Sequence, residues 1–192
     1  KADYASEVAT LAAAGGDALA VLGYLDQGGK GIIQAALDSG AFDTFVMGDG
    51  MIGKSLVEAF GESLKKSVAS RPGSLGEGAT IFKEVAGAAG IDSNGPFTSE
   101  SYDAAALLVL AIQAGGNADR ATIQKNVMSV ANGPGTKIYP GELKKALDLL
   151  AEGKKIDYEG ASSVDFTEVG EAAGAYLEMI VKGDDFKAIK QR

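Results

Sequence analysis

Two short apolar runs, Ala18-Leu19-Ala20-Val21-Leu22 and Thr44-Phe45-Val46-Met47, constrain this chain more than any other feature. Each leads straight into glycine, and each is flanked by segments whose apolar residues recur at helical spacing. Ahead of the first run, Asp3 is placed to cap a helix that buries Tyr4, Val8 and Leu11 and ends at Gly15-Gly16. Between the runs, Ile32, Ile33, Ala36 and Leu37 mark a helix over 27–37, stopped at Ser39-Gly40. Beyond the second, Ile52, Leu56 and Phe60 mark a short helix closed by Gly61, and Lys66 to Ser70 reads as a third strand. Helix and strand in alternation, joined by short loops, predict an α/β fold with a parallel sheet and helical crossovers. The continuous apolar character of Ala18–Leu22 predicts a strand covered on both faces.

The pattern changes after Arg71-Pro72-Gly73. A helix through Ile81, Phe82, Val85 and Ala89 leads to the turn Asp92-Ser93-Asn94-Gly95-Pro96. Next come a very apolar helix over 99–114, a helix carrying Ile123, Val127 and Val130, and the loop Asn132-Gly133-Pro134-Gly135. Pro140 stands where a first helical residue belongs, ahead of Leu143, Leu147 and Leu150. Alternation from Ala175 to Lys182 and the turn Gly183-Asp184-Asp185 make the tail strand-like. The stretch from Tyr102 to Ile112 is apolar nearly all the way round, which predicts burial on several sides. It is either the middle of a helical layer or a surface that a further piece of protein covers.

The chain of 192 residues has no His and no Cys, so imidazole bases, thiolate nucleophiles, zinc fingers, iron–sulfur clusters and disulfides are excluded. Any catalysis would run on Asp, Glu, Lys, Ser, Thr or Tyr. The net charge of −8 has the wrong sign for nucleic acid or an anionic membrane. The longest apolar run, Ala104 to Ile112, is far short of the ~20 residues that span a bilayer. Read from Lys1, the sequence is expected to open on a helix start at Asp3-Tyr4-Ala5-Ser6 and not on a signal peptide.

Gly48-Asp49-Gly50-Met51-Ile52-Gly53-Lys54-Ser55 matches the phosphate-binding pattern G-x-x-x-x-G-K-[ST] between a strand and a helix. Against a nucleotide site, no later strand ends in an acidic residue placed to hold magnesium, since Ser163-Val164-Asp165 is too short and too polar. Asp49 would also put a negative charge inside a triphosphate cradle. Ser63-Leu64-Lys65-Lys66 has the S-x-x-K spacing of some acyl-transfer enzymes without their companion motifs, and reads as a solvated helix end.

Position is the stronger lead. In an open parallel sheet, ligands bind beyond the carboxyl ends of the strands. The first run delivers Gly23-Tyr24-Leu25 to that rim and the second delivers Gly48-Asp49-Gly50 to the same one. A phenol ring and a carboxylate set among glycines suit an ammonium group. The other reading is a surface tyrosine and a helix-capping aspartate.

At these residues the sequence resembles a known family. Tyr4-Ala5-Ser6 through Gly15-Gly16-Asp17-Ala18, Gly23-Tyr24, Ser39-Gly40 and Phe45-Val46-Met47-Gly48-Asp49-Gly50 resemble the second lobe of type I periplasmic binding proteins, in the leucine/isoleucine/valine-binding group. Pro96-Phe97-Thr98-Ser99-Glu100-Ser101-Tyr102-Asp103-Ala104 is similar to that family's crossing segment. Gly160-Ala161-Ser162-Ser163-Val164-Asp165-Phe166 and 175–186 are similar to its closing strands and hinge.

The resemblance implies two Rossmann-like lobes with an amino acid held between them, in chains about twice this length, and makes this chain the carboxy-terminal part. On that reading 1–73 is the core of the second lobe and 74–97 a helix and crossover. Residues 98–160 would then be helices that pack on a missing first lobe, and 161–192 the closing strands and hinge. It implies a periplasmic, non-enzymatic substrate-binding component of an ABC transporter, without cofactor, serving an inner-membrane permease. Tyr24 would cover the ligand and Asp49 would take its ammonium, with Gly23, Gly50 and Met51 beside them. The uncovered apolar helix adds self-association of the chain as an expectation. Two rivals remain, a P-loop nucleotide-binding protein using Gly48–Ser55 and an interaction domain whose partner surface lies over Leu107 and Leu110.

Overall fold

The structure, a computed structural model, describes residues 3–95 and 97–192. Lys1, and the Pro96 that ends the expected turn and opens the crossing segment, lie outside the described residues. The chain folds into two compact units, one of residues 1–71 and 176–192 and one of residues 72–175.

The first unit is a five-stranded, mainly parallel sheet with helices. Its elements are α1 (Ala5–Ala14), β1 (Leu19–Val21), α2 (Gly29–Ser39), β2 (Phe45–Met47), α3 (Lys54–Phe60), β3 (Val68–Pro72), β6 (Tyr176–Lys182) and β7 (Asp185–Gln191). Strand order is β1-β2-β3-β6-β7. β1, β2 and β3 run parallel, with Leu19 opposite Phe45, Val21 opposite Met47 and Met47 opposite Ala69. β6 and β7 close the sheet as an antiparallel hairpin.

Pleating decides what is buried. Leu19, Val21, Phe45, Met47 and Ala69 point into a core with Val8, Ile33, Ala36 and Leu56, and Phe45, Ile33 and Leu56 have no exposed surface. Ala20 and Val46 point the other way and are exposed, Val46 at 45%. β1 is therefore covered on one face only, because the helices that reach this core lie on one side of it. The expected burial of Leu11 also fails; it is 47% exposed, and α1 enters the core through Val8. The expected Asp3 cap is displaced: the N-cap of α1 is Tyr4, which makes no side-chain cap bond, and Asp3, one residue outside the helix, accepts the Ala5 amide on Oδ1 at 2.8 Å. The third strand starts two residues later than its pattern suggests, and the buried Ser67 just before it accepts the Phe45 amide at 3.0 Å.

The second unit is helical around a small sheet. It holds α4 (Glu77–Ala88), α5 (Thr98–Gly115), α6 (Arg120–Ala131), β4 (Thr136–Ile138), α7 (Leu143–Ala151) and β5 (Ile156–Tyr158), with β4 and β5 parallel. Leu107, Leu110, Ala111, Val130, Ile138, Ala146, Ile156 and Tyr158 form its core. Pro140 is buried in a turn, and α7 begins three residues after it, where the Glu142 carboxylate accepts the Tyr139 amide at 3.0 Å. Along α5, Leu107 and Leu110 are 4% and 0% exposed, so the partner surface expected over them does not exist. The large apolar residues left open on that helix are Leu108 and Val109. Among the described residues, no helix is long and apolar enough to cross a membrane.

Candidate functional site

Parallel pairing carries β1 and β2 to a common rim, and the ladder runs one step past the strands, with the Gly48 amide donating to Val21 O at 3.4 Å. After β1 the chain passes Leu22, Gly23 and Tyr24 into a 3-10 turn at Leu25–Gln27. Tyr24 O accepts the amides of Gln27 and Gly29 at 3.2 and 3.0 Å, fixing where the tyrosine leaves the turn. After β2 a second 3-10 turn, Asp49–Met51, is closed by the Met51 amide on Gly48 O and the Ile52 amide on Asp49 O.

The two turns touch at Gly50. A Cβ there would lie 2.5 Å from Gly23 O and 2.8 Å from Tyr24 Cδ1, so only glycine lets the Asp49 turn come under the tyrosine ring. Tyr24 is 65% exposed, Asp49 is exposed, and the Gly50 amide donates to Asp49 Oδ1 at 2.9 Å. A phenol and a carboxylate thus stand on adjacent turns at one rim, facing solvent. Gly23 and Gly50 form the floor between them.

Met51 is a correction. The 3-10 turn rotates its side chain inward, where it is fully buried against the start of α2; a Cβ at Gly29 would collide with its sulfur. It leaves no surface for a ligand.

The phosphate-loop pattern is also filled by protein. A Cβ on Gly53 would lie 2.5 Å from Leu25 Cδ1, one on Gly50 would lie 2.8 Å from Tyr24 Cδ1, and Lys54 pairs along its own helix with Glu58 at 3.7 Å. The glycines here admit neighbouring side chains, leaving no cradle for phosphate. The S-x-x-K pattern is equally unassembled. Ser63 is exposed, and Lys66 pairs with Asp43 at 2.5 Å, which holds the Asp43 carboxyl below its usual range.

In the second unit, a cleft of about 270 Å³ is lined by Asn132, Tyr158, Ser163, Val164 and three acids, Asp157, Glu159 and Asp165. Burial, followed by the charges of Glu159 and Asp165, pushes the Asp157 carboxyl up. Glu159 is already paired with Lys137, and among the described residues no group of three acidic, His or Cys side chains could hold a metal ion.

No protein-family model matches the chain. A stretch of 83 residues is 36% identical to the chemotactic signal transduction system substrate-binding protein BasB of Halobacterium salinarum, spanning 43% of this chain and 20% of that protein. The fold is similar to that of the leucine binding protein LivK of Thermotoga maritima, with a TM-score of 0.70 at 20% identity over 100% of this chain and 49% of that one. It is also similar to a type 1 periplasmic binding protein of Bordetella pertussis, with a TM-score of 0.62 at 18% identity over 98% and 50%. The chain spans about half the length of these solved structures. Its fold is that of about half a type I periplasmic binding protein.

Proposed function

We propose that the rim of Tyr24 and Asp49 is one half of the binding site of a periplasmic solute receptor for an amino acid or a similar small zwitterion. The observation that carries this reading is the parallel register of β1 and β2, which ends both strands at one rim and sets Gly50 under the Tyr24 ring. In this assignment the Asp49 carboxylate pairs with the ligand's ammonium, and the electron-rich face of Tyr24 covers it. Gly23 and Gly50 let the ligand reach the backbone. Binding, with no bond made or broken, is the whole activity. Occupancy would be read by a membrane partner, an ABC permease in the inner membrane. A chemotaxis transducer is the second reading, favoured by the likeness to the Halobacterium protein.

Calorimetry on the natural full-length protein tests the assignment, with leucine, valine and N-acetyl-leucine as titrants. Leucine or valine should bind and N-acetyl-leucine, which lacks the cation, should not. Asp49→Asn should lower affinity roughly 100-fold, the cost of leaving a buried cation without its counter-charge. Equal binding of leucine and N-acetyl-leucine, or unchanged affinity in the Asp49→Asn variant, would remove Asp49 from the site.

A further inference from the structure

Asp103 lies in the first turns of α5 and is 2% exposed, one of two buried polar side chains among the described residues. A carboxylate taken out of water is costly unless its oxygens are hydrogen-bonded. Here all the donors are neutral and come from the end of β5 and the loop that follows it. Tyr158 Oη and the Ala161 amide donate to Oδ1 at 2.8 and 2.7 Å, and the Ser162 amide and hydroxyl donate to Oδ2 at 2.7 and 2.6 Å. Four donors saturate what two carboxylate oxygens accept.

The loop between these donors has no freedom to differ. Gly160 has φ +62°, and a Cβ on it would lie 2.7 Å from Asp103 Oδ2. From the other side α4 presses on the same glycine, since a Cβ on Gly78 would collide with the Gly160 carbonyl oxygen. Gly160 is therefore held between the Asp103 carboxylate and the first turn of α4. Tyr102, next to Asp103, packs against Phe82 of α4 with ring centroids 5.1 Å apart and planes tilted by 48°, and its hydroxyl accepts the Gly141 amide at 2.8 Å.

The lock continues along the loop. Ser163 has φ +58°, an uncommon conformation for a residue with a side chain, and its hydroxyl lies 2.7 Å from that of Ser74. Ser74 Oγ accepts the Gly76 amide at 3.0 Å, at the entry to α4. One residue before Ser74, the Gly73 amide donates to Ala175 O at 3.0 Å. That bond joins the segment by which the chain enters this unit to the segment by which it leaves.

We infer that Asp103 is a positioning residue: its carboxylate locks α5, the 158–162 segment and α4 into one body and, through Ser163 and Ser74, fixes the paired entry and exit segments of the unit. This assignment is independent of what the receptor binds.

Amide hydrogen exchange on the full chain tests it. Asp103→Asn replaces an accepting oxygen by an NH₂ group that faces N–H donors. It should accelerate exchange about tenfold or more at Ala161 and Ser162, and also at Gly73 and Thr80, while Leu56 and Val57 in the other unit stay unchanged. Ser74→Ala should accelerate Gly73 and leave Ala161 and Ser162 protected. Should Asp103→Asn fail to fold, Ser162→Ala and Ser162→Thr decide, because Ala removes one donor and Thr restores it. Ala is expected to loosen all four amides and Thr to return their protection. The lock is overturned if Asp103→Asn leaves Gly73 and Thr80 unchanged, if Ser74→Ala leaves Gly73 unchanged, or if the Ala and Thr substitutions of Ser162 behave alike.

Discussion

Asp157 and Tyr158 are neighbours in β5, and both hold their protons more tightly than usual, for different reasons. Burial and the charges of Glu159 and Asp165 raise the Asp157 carboxyl. Burial raises the Tyr158 phenol furthest, and the Asp103 charge adds to it. A group whose folded pKa is raised supports the fold below its unfolded value, and that support is lost as pH rises through the folded one. For Asp157 the loss sets in as pH rises above the ordinary carboxylate value of about 4, so the ionised residue works against the fold. Asp157→Asn should therefore raise the urea midpoint at pH 7 and flatten the fall in stability that sets in as pH rises above about 4. A variant weaker than the parent at pH 7 would contradict this. For Tyr158 the loss begins above about pH 10, where the unfolded phenol ionises and the folded one does not. Tyr158→Phe should remove that alkaline loss and cost about 1–3 kcal/mol at neutral pH, by taking a donor from Asp103. The rim pair Tyr24 and Asp49 was legible in the sequence because parallel strands must end on the same side. The inward turn of Met51 was not, since residues two apart in a 3-10 turn share no face that a linear pattern displays. Asp103 was visible only as part of the Tyr102-Asp103-Ala104 resemblance; its four donors lie more than fifty residues downstream.

At the scale of the element, strand β2 separates two environments within one residue. Phe45 has no exposed surface, and Val46 beside it is 45% exposed. Phe45→Ala should cost about 3–5 kcal/mol, because the helices around it close only partly over the space. Val46→Thr should change stability by less than about 0.5 kcal/mol. Urea titration of the two variants checks the contrast, and similar losses would mean that the outer face of β2 is covered in solution. The same contrast explains which elements could be read in advance. α2, α3, β1 and β2 announced themselves through helical spacing and short apolar runs ending in glycine. β4 and β5 did not, since Thr136-Lys137-Ile138 and Ile156-Asp157-Tyr158 each carry a charge at the centre and sit in no continuous apolar run. The continuous run at Ala18–Leu22 suggested two covered faces because its outward Ala20 and Leu22 are as apolar as its inward residues. At α7, Pro140 resembled a first helical residue, but Gly141, with φ +87°, makes a turn before the helix begins.

At the scale of the whole molecule, the net charge of −8 is unevenly divided. Residues 1–71 and 176–192 carry 10 basic and 12 acidic side chains, and residues 72–175 carry 8 and 14. Like charges crowded on one folded unit repel, which weakens the compact state, and salt screens that repulsion. Raising sodium chloride from 0.15 to 1 M shortens the screening length from about 8 to 3 Å. It should therefore strengthen the helical unit more than the sheet unit. Exchange of core amides separates the two, with Leu110 and Ala111 reporting on the first and Ile33 and Leu56 on the second. Hydrophobic burial also responds to salt, but that response is common to both cores, so the difference between the two slopes isolates the charge effect. A steeper slope at Leu110 than at Ile33 is the expected result, and equal slopes would mean that the excess acids of residues 72–175 lie too far apart to repel.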